Sequence, residues 1–379
     1  VYPGTYFENI NFKGKAISIV SADGPMETVI DGNGQGRVVA FITGESRESV
    51  LEGFTITSGQ GGVYIDHASP TITNCRIVSN SAGNGGGIAV EYGEPLITDC
   101  TIASNTASNG GGIYCFRSAP VILGSAIENN QAGANGGGIY FYTESAGRIA
   151  ISTITHNSAQ YGGGISLVDA WPVITRSEIS RNTAVSSGGG LNVSFNNVLN
   201  MDSYTVLLTN CLITKNEVES RGGGIFVNGT PDNGVSIDMA NCTIAGNLAT
   251  WWLASGGGLY VDSATADVRN TIFWGNLAGH GTSHGINIDT PLTFGITNCV
   301  VQYGDPVETD NSNLRVDPEF VQPEAGDYHL RPDSPCVDAG ARPGAPAVDF
   351  EGVMRPQGTA VDMGAFEQVD LGNCAMPMA

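Results

Sequence analysis

The chain has 379 residues, of which 14% are charged against about 25% in an ordinary soluble protein, and 53 are glycine. Its net charge of −21, with lysine only at Lys13, Lys15 and Lys215, argues against nucleic acid and anionic membranes as partners. Hydrophobic residues at 41% exclude a disordered polymer, and no apolar run is long enough to span a membrane. So much glycine beside so much apolar surface predicts many tight turns joining short strands.

Residues 1–60 open the chain with short apolar runs. Val1 is not an initiator methionine, so a processed or truncated start is expected.

From residue 61 to 302 the chain repeats. Gly-Gly-Gly followed by Ile or Leu begins at Gly85, Gly110, Gly136, Gly162, Gly188, Gly222 and Gly256, in steps of 25 or 26 residues and then two of 34. Between these lies a second motif, Ile72-Thr73-Asn74-Cys75-Arg76-Ile77 and its copies at Ile97–Ile102, Leu208–Ile213 and Met239–Ile244. Each unit then carries an asparagine: Asn80, Asn105, Asn130, Asn157, Asn182, Asn216, Asn247 and Asn276. Apolar residues alternate with period two, and helical periodicity is lacking. Each unit therefore reads as two strands, a polar turn and a glycine turn, and the whole as an all-β solenoid of about 25-residue coils. Since parallel crossovers are nearly always right-handed, a right-handed parallel β-helix is predicted.

This frame assigns sides. Ile88 and Val90, Ile113 and Cys115, Ile139 and Phe141, and Ile165 and Leu167 point inward, as do Leu191 and Val193, Ile225 and Val227, and Leu259 and Val261. Cys75 stacks under Cys100, and Cys211 under Cys242, as free apolar thiols. The asparagine column is expected to be a structural ladder of amides satisfying the turn backbone. The two longer steps imply insertions, within Phe195–Val206, within Gly229–Gly234 and around Trp251 and Trp252; loops on a solenoid often carry binding.

From Tyr303 to Ala379 the glycine triplets stop and prolines accumulate, which predicts a last coil and an irregular cap. Cys336 and Cys374 lie here, outside the repeat, and are expected to pair in an oxidising compartment. Asp338, Asp349, Asp362 and Glu367 read as residues of the cap.

Three outward columns could carry chemistry. Tyr114, Phe116, Tyr140 and Tyr142 form an aromatic face, continued by Tyr64, Phe226 and Tyr260, suited to sugar rings or a protein surface. A second column, just before the asparagines, reads Ser79, Ser104, Asn129, His156, Arg181, Lys215, with Glu128 and Glu178 close by; crowded cations could lower a lysine pKa toward catalytic use, or simply form surface ion pairs with those acids. A third holds Asp66, Glu91, Asp262 and Asp289, too scattered for a shared calcium site. No Ser-His-Asp set, P-loop or HExxH motif is recognisable, and the cysteines lack zinc spacing.

The glycine–asparagine–alanine repeats resemble those of polymorphic outer membrane proteins and of pectate-lyase-like right-handed β-helix proteins. The opening Val1–Tyr6, Thr28–Gly32 and Glu52–Ile56 are similar to the first coils of that group. The stretch Asp327–Leu330, Ser334–Gly340, Arg355-Pro356 and Asp362–Glu367 is similar to the end of bacterial β-helix proteins with a choice-of-anchor Q domain. This resemblance covers nearly the whole chain and implies an exported or surface-attached protein. It also implies two functions. One is a non-catalytic structural, adhesive or assembly component that presents a long face to polysaccharide, to other surface proteins or to its own copies. The other is a polysaccharide lyase, hydrolase or epimerase, in which Arg or Lys of the His156–Arg181–Lys215 column would abstract a proton beside a uronate with Ca²⁺ held by Asp and Glu.

Overall fold

The computed structural model describes residues 1–195, 204–229, 236–279, 285–289, 293–302, 305 and 312–369. Each regular coil contributes four short strands, as in Leu96–Thr98, Thr101–Ala103, Thr106–Asn109 and Ile113–Phe116. Equivalent strands of successive coils pair in parallel. Among the described residues they form three sheets of 11 strands and one of eight. We call these sheet I (with Thr101–Ala103), sheet II (Thr106–Asn109), sheet III (Ile113–Phe116) and sheet IV (Leu96–Thr98). The chain is thus an all-β right-handed parallel β-helix.

Register is one coil per step: Ile77 faces Ile102, Ile97 faces Ile122, and Ile113 faces Ile139. The fourteen residues assigned inward on sheet III are all fully buried in one continuous core.

Four strands stand where the repeat suggested two. The motif Ile-Thr-Asn-Cys-Arg-Ile is not one strand but two, bent apart by a left-handed residue: Asn74 at φ 48° and Asp99 at φ 54°. Their short polar side chains tolerate this backbone, and the bend turns the chain from sheet IV into sheet I. The same corner is occupied by Gly124, Ile151, Arg176, Asn210, Asn241, Asn270 and Asn298, all at positive φ. The next inward position, beginning with Cys75 and Cys100, seals the corner. Cys100 N–H donates to Ser125 Oγ, Ser125 N–H to Ser152 Oγ and Ser152 N–H to Ser177 Oγ, each 3.2 Å. Cys211, Cys242, Thr271 and Cys299 continue the chain of bonds.

At the opposite corner stand the eight asparagines, all buried. From Asn80 to Asn247, main-chain N–H and Nδ2 both donate to Oδ1 of the next asparagine. The other Nδ2 proton goes to a sheet I carbonyl, as from Asn105 to Ile77 at 2.8 Å. Every polar atom of a buried amide is thereby used.

The C-terminal region is irregular, and its described part lies along the flank of the solenoid as a strap. After Leu314 bridges to Val300, an antiparallel hairpin, Phe320–Gln322 with Asp327–Leu330, packs on the outer face of sheet I with Leu212, Ala245 and Ile272. The strap then bonds to the left-handed corner in four coils. Arg176 Nε donates to Phe350 O at 3.0 Å, Asn210 Nδ2 to Val348 O at 2.6 Å, Asn241 Nδ2 to Asp362 O at 3.0 Å and Asn270 Nδ2 to Ala341 O at 2.9 Å. Its interior is organised by Arg355, whose Nη1 donates to Glu367 Oε2 at 2.7 Å with both side chains buried. Asp349 accepts the N–H groups of Glu351, Gly352, Val353 and Glu367. Asp338 and Asp362 likewise accept loop N–H groups, so these acids hold the strap together. Cys336 is a buried free thiol, and Cys374 lies outside the described residues.

Candidate functional site

Sheets II and III meet at the glycine triplets and enclose a concave corner. Gly110 takes φ 60°, and a Cβ on it would stand 2.4 Å from Ile113 O. A Cβ on Gly111 would meet both Gln131 O and Gly137 O at 2.5 Å. Only glycine lets the chain double back this tightly between adjacent coils.

The corner shapes a groove of about 460 Å³ lined by Asn84, Asn109, Asn135, Tyr114, Tyr140, Tyr142 and Val168. One wall is a second row of amides on sheet II, distinct from the buried ladder. Asn109 Nδ2 donates to Asn84 Oδ1 at 3.1 Å, and Asn135 Nδ2 to Asn109 Oδ1 at 3.0 Å. All three are half-buried. The other wall is the aromatic face of sheet III. Tyr114 and Tyr140 are adjacent in register, with ring centroids 5.8 Å apart; Phe116 and Tyr142 are adjacent in the next column at 5.7 Å. Tyr142 also lies nearly parallel to Tyr140, at 5.6 Å and 19°.

The four aromatics are not equivalent. Tyr114 and Tyr140 are only 7% and 6% exposed, whereas Phe116 and Tyr142 are half-buried. Both columns point away from the coil interior, but the inner one sits in the crease beneath sheet II. What remains exposed of Tyr114 and Tyr140 opens on the groove. Burial, with the Glu91 carboxylate second, pushes the Tyr114 phenol up to about 12; burial raises Tyr140 too. Both phenols stay protonated and can donate hydrogen bonds at any physiological pH.

Sequence reasoning missed Asn84, Asn109 and Asn135. The available signal was an asparagine directly before Gly85, Gly110 and Gly136, which reads first as a turn residue. Tyr92 and His67 were missed as well. They occupy left-handed turns after sheet III and extend the aromatic belt, His67 on Tyr92 at 4.5 Å and Tyr92 edge-on to Phe116 at 5.3 Å.

The continuation of the aromatic column splits into two matching units. Arg37 lies over Tyr64 at 5.3 Å, and Tyr64 Oη donates to Glu91 at 3.2 Å; Arg221 lies over Tyr260 at 5.3 Å, and Tyr260 Oη donates to Asp289 at 3.0 Å. Asp66 and Glu91 face one another in register, and Asp262 follows only after Phe116, Tyr142, Val168, Ser194 and Asn228. The acidic column is therefore two separate ends flanking the aromatics. Among the described residues no group of three or more His, Cys, Asp or Glu side chains is placed to hold a metal ion.

His156, Arg181 and Lys215 do stack on successive coils, following the paired residues Thr155, Ser180 and Thr214. All three have positive φ, in a column that continues through Gly246 and Gly275. Side chains there are splayed outward by a left-handed turn. His156 Nδ1 contacts Thr155 Oγ1 at 3.0 Å, and Glu178 accepts from Ser180 Oγ at 2.6 Å. Lys215 Nζ donates to Glu324 O at the hairpin tip, 2.8 Å away. Beyond it, the side-chain-free Gly246 and Gly275 floor a second cavity of about 520 Å³ beside Trp274, Phe320 and Tyr328. Among the described residues no ion pair joins Glu128 or Glu178 to the column.

Of the insertions, the described flanks Phe195 and Tyr204 stack, with Trp171 on Tyr204 at 4.0 Å, while 196–203 and 230–235 lie outside the described residues. Trp251 and Trp252 are exposed on a projecting turn.

Fold and site together define a repeat protein of the parallel β-helix class with an open groove along one corner. A family model described as a right-handed β-helix region matches residues 38–203. Among solved structures, the crystal structure of pectate lyase Pel9A is similar, with 16% identity and a TM-score of 0.49 over 97% of this chain and 86% of that one. No curated protein sequence matches the chain.

Proposed function

We propose that this protein is a non-catalytic polysaccharide-binding β-helix of the cell exterior or cell surface. The observation that carries this reading is the groove between the amide row of Asn84, Asn109 and Asn135 and the tyrosines Tyr114, Tyr140 and Tyr142. Amides and phenols offer paired donors and acceptors, and the half-exposed Tyr142 ring offers an apolar face; sugars need both. An open groove favours a glycan over self-association, which would use a flatter and more apolar patch. The acidic, lysine-poor composition supports a setting away from nucleic acid.

Catalysis at His156, Arg181 and Lys215 has weaker support. The Lys215 ammonium is turned to the Glu324 carbonyl of the hairpin rather than left open for a substrate.

Affinity electrophoresis against a panel of neutral and acidic polysaccharides tests the proposal, with absorbance of unsaturated products followed in parallel with and without Ca²⁺. Retardation that Tyr142→Ala removes, without product, is expected. Product formation that disappears in Arg181→Ala would overturn the non-catalytic reading.

A further inference from the structure

Resting on the glycan reading above, we infer that the groove selects a neutral polysaccharide, laid parallel to the solenoid axis with one sugar ring per coil across the Asn84–Asn109–Asn135 row.

The axial direction follows from the amides. Asn84, Asn109 and Asn135 stand at one register position in consecutive coils. Bonds between them run along the axis. Asn109 spends one Nδ2 proton and one Oδ1 lone pair on its neighbours. One proton and one lone pair remain, directed off the axis. The groove therefore presents a donor and an acceptor that repeat with the coil rise, about 4.8 Å. An extended pyranose chain advances per ring by a comparable distance and carries hydroxyls that both donate and accept.

Neutrality follows from charge. Among the described residues the lining contains amides, phenols and Val168, and no cation. Two arginines approach its borders, and both are engaged. Arg37 donates to Asn84 O and Gly85 O, each at 3.0 Å, and Arg117 pairs with Glu144 at 3.5 Å. The carboxylates of Glu91 and Asp169 act on the floor tyrosines Tyr114 and Tyr140, and the whole chain carries −21. A uronate entering here would lose water without meeting a counter-charge. Hydroxyls lose nothing comparable.

The length is bounded as well. In the same register position Asn135 is followed by Tyr161, which is exposed, and then by the buried Ser187. The amide row thus ends on an aromatic ring, and Arg37 closes its other end.

Calorimetric titration with neutral and uronate oligosaccharides of two to six rings provides the test. Neutral chains should bind with affinity that rises up to about three rings and then levels, matching three coils. Uronates of equal length should bind at least roughly tenfold more weakly, with or without Ca²⁺. Asn109→Ala and the half-exposed Tyr142→Ala should each cost roughly tenfold in affinity with unchanged melting. Uronates binding as well as neutral chains would overturn the selectivity and leave glycan binding standing. An affinity without a step near three rings would overturn the axial register. Binding to no glycan at all would overturn this inference together with the reading it rests on.

Discussion

Asn157 donates twice to Asn182: its main-chain N–H and its Nδ2 both reach the one Oδ1, each at 3.0 Å. Asn157 in turn accepts the same two bonds from Asn130. Removing one amide therefore orphans groups on a neighbouring coil that no water can reach. Asn157→Ala should destabilise by about 3 kcal/mol, since each stranded buried group costs about 1–3 kcal/mol. Asn157→Asp should be worse, because a carboxylate oxygen would face Ile127 O and Asn182 Oδ1, where an N–H now donates. Amide hydrogen exchange should show the loss of protection centred on the coils of Asn130 and Asn182, and uniform loss along the chain would contradict this account.

Ile151 is the odd residue in the corner column. It is β-branched, sits at φ 52° and is 52% exposed. A left-handed backbone costs such a residue roughly 1–2 kcal/mol, and its side chain recovers little by burial. Asn and Gly already fill the same position at Asn74 and Gly124. Ile151→Asn should raise the denaturation midpoint, by about 1 kcal/mol in stability. A lowered midpoint would mean that the Ile151 side chain makes a contribution its exposure does not reveal.

Arg355 and Glu367 are paired without access to water. Arg355→Leu would leave the Glu367 charge buried and alone, at a cost of about 3–5 kcal/mol confined to the strap. In a Cys374→Ser background, thiol titration of the native protein should then find Cys336 reactive. Its thiol is otherwise buried and pushed up to about 12. Cys75, Cys100, Cys115, Cys211, Cys242 and Cys299 belong to the solenoid core and should stay protected. Reaction of all seven together would show that strap and solenoid unfold as one unit.

Burial raises the Asp362 carboxyl from the usual 3.8 to about 6. Above pH 6 the docked strap holds a buried charge that the released strap would hold in water, so this group opposes docking. As pH falls from about 6 toward 3.8, the docked form takes up its proton first and the strap tightens. Asp338 has the opposite sign. The Ala360 N–H holds it below its usual value, so its contribution is lost once pH falls below that value. Resistance of the strap to proteolysis should therefore peak near pH 5, between these limits. Asp362→Asn should flatten the rise from pH 7 to 5 and keep the loss at lower pH.

The alternating pairs Ile88–Val90 and Ile113–Cys115 could be read inward from sequence because period-two burial depends only on the strand itself. The corner at Asn74 and Asp99 could not, since an asparagine within an apolar run is equally compatible with a continuing strand. Burial of Tyr114 and Tyr140 depends on a neighbouring sheet folding over them, and the groove exists only once that crease has formed. The strap is the least legible part. The bond from Arg176 to Phe350 spans 174 residues, and a Pro-rich stretch of irregular chain carries no period from which such a partner can be inferred.

That strap changes how the rod would bear a load. In a plain solenoid, tension on the C-terminal end falls on the last coil, whose strands would peel away one row of bonds at a time. Here the C-terminal segment grips Arg176, Asn210, Asn241 and Asn270 along the flank. Four coils then share the pull, and their attachments must be sheared together rather than unzipped. The flank of sheet I works as a splice joint.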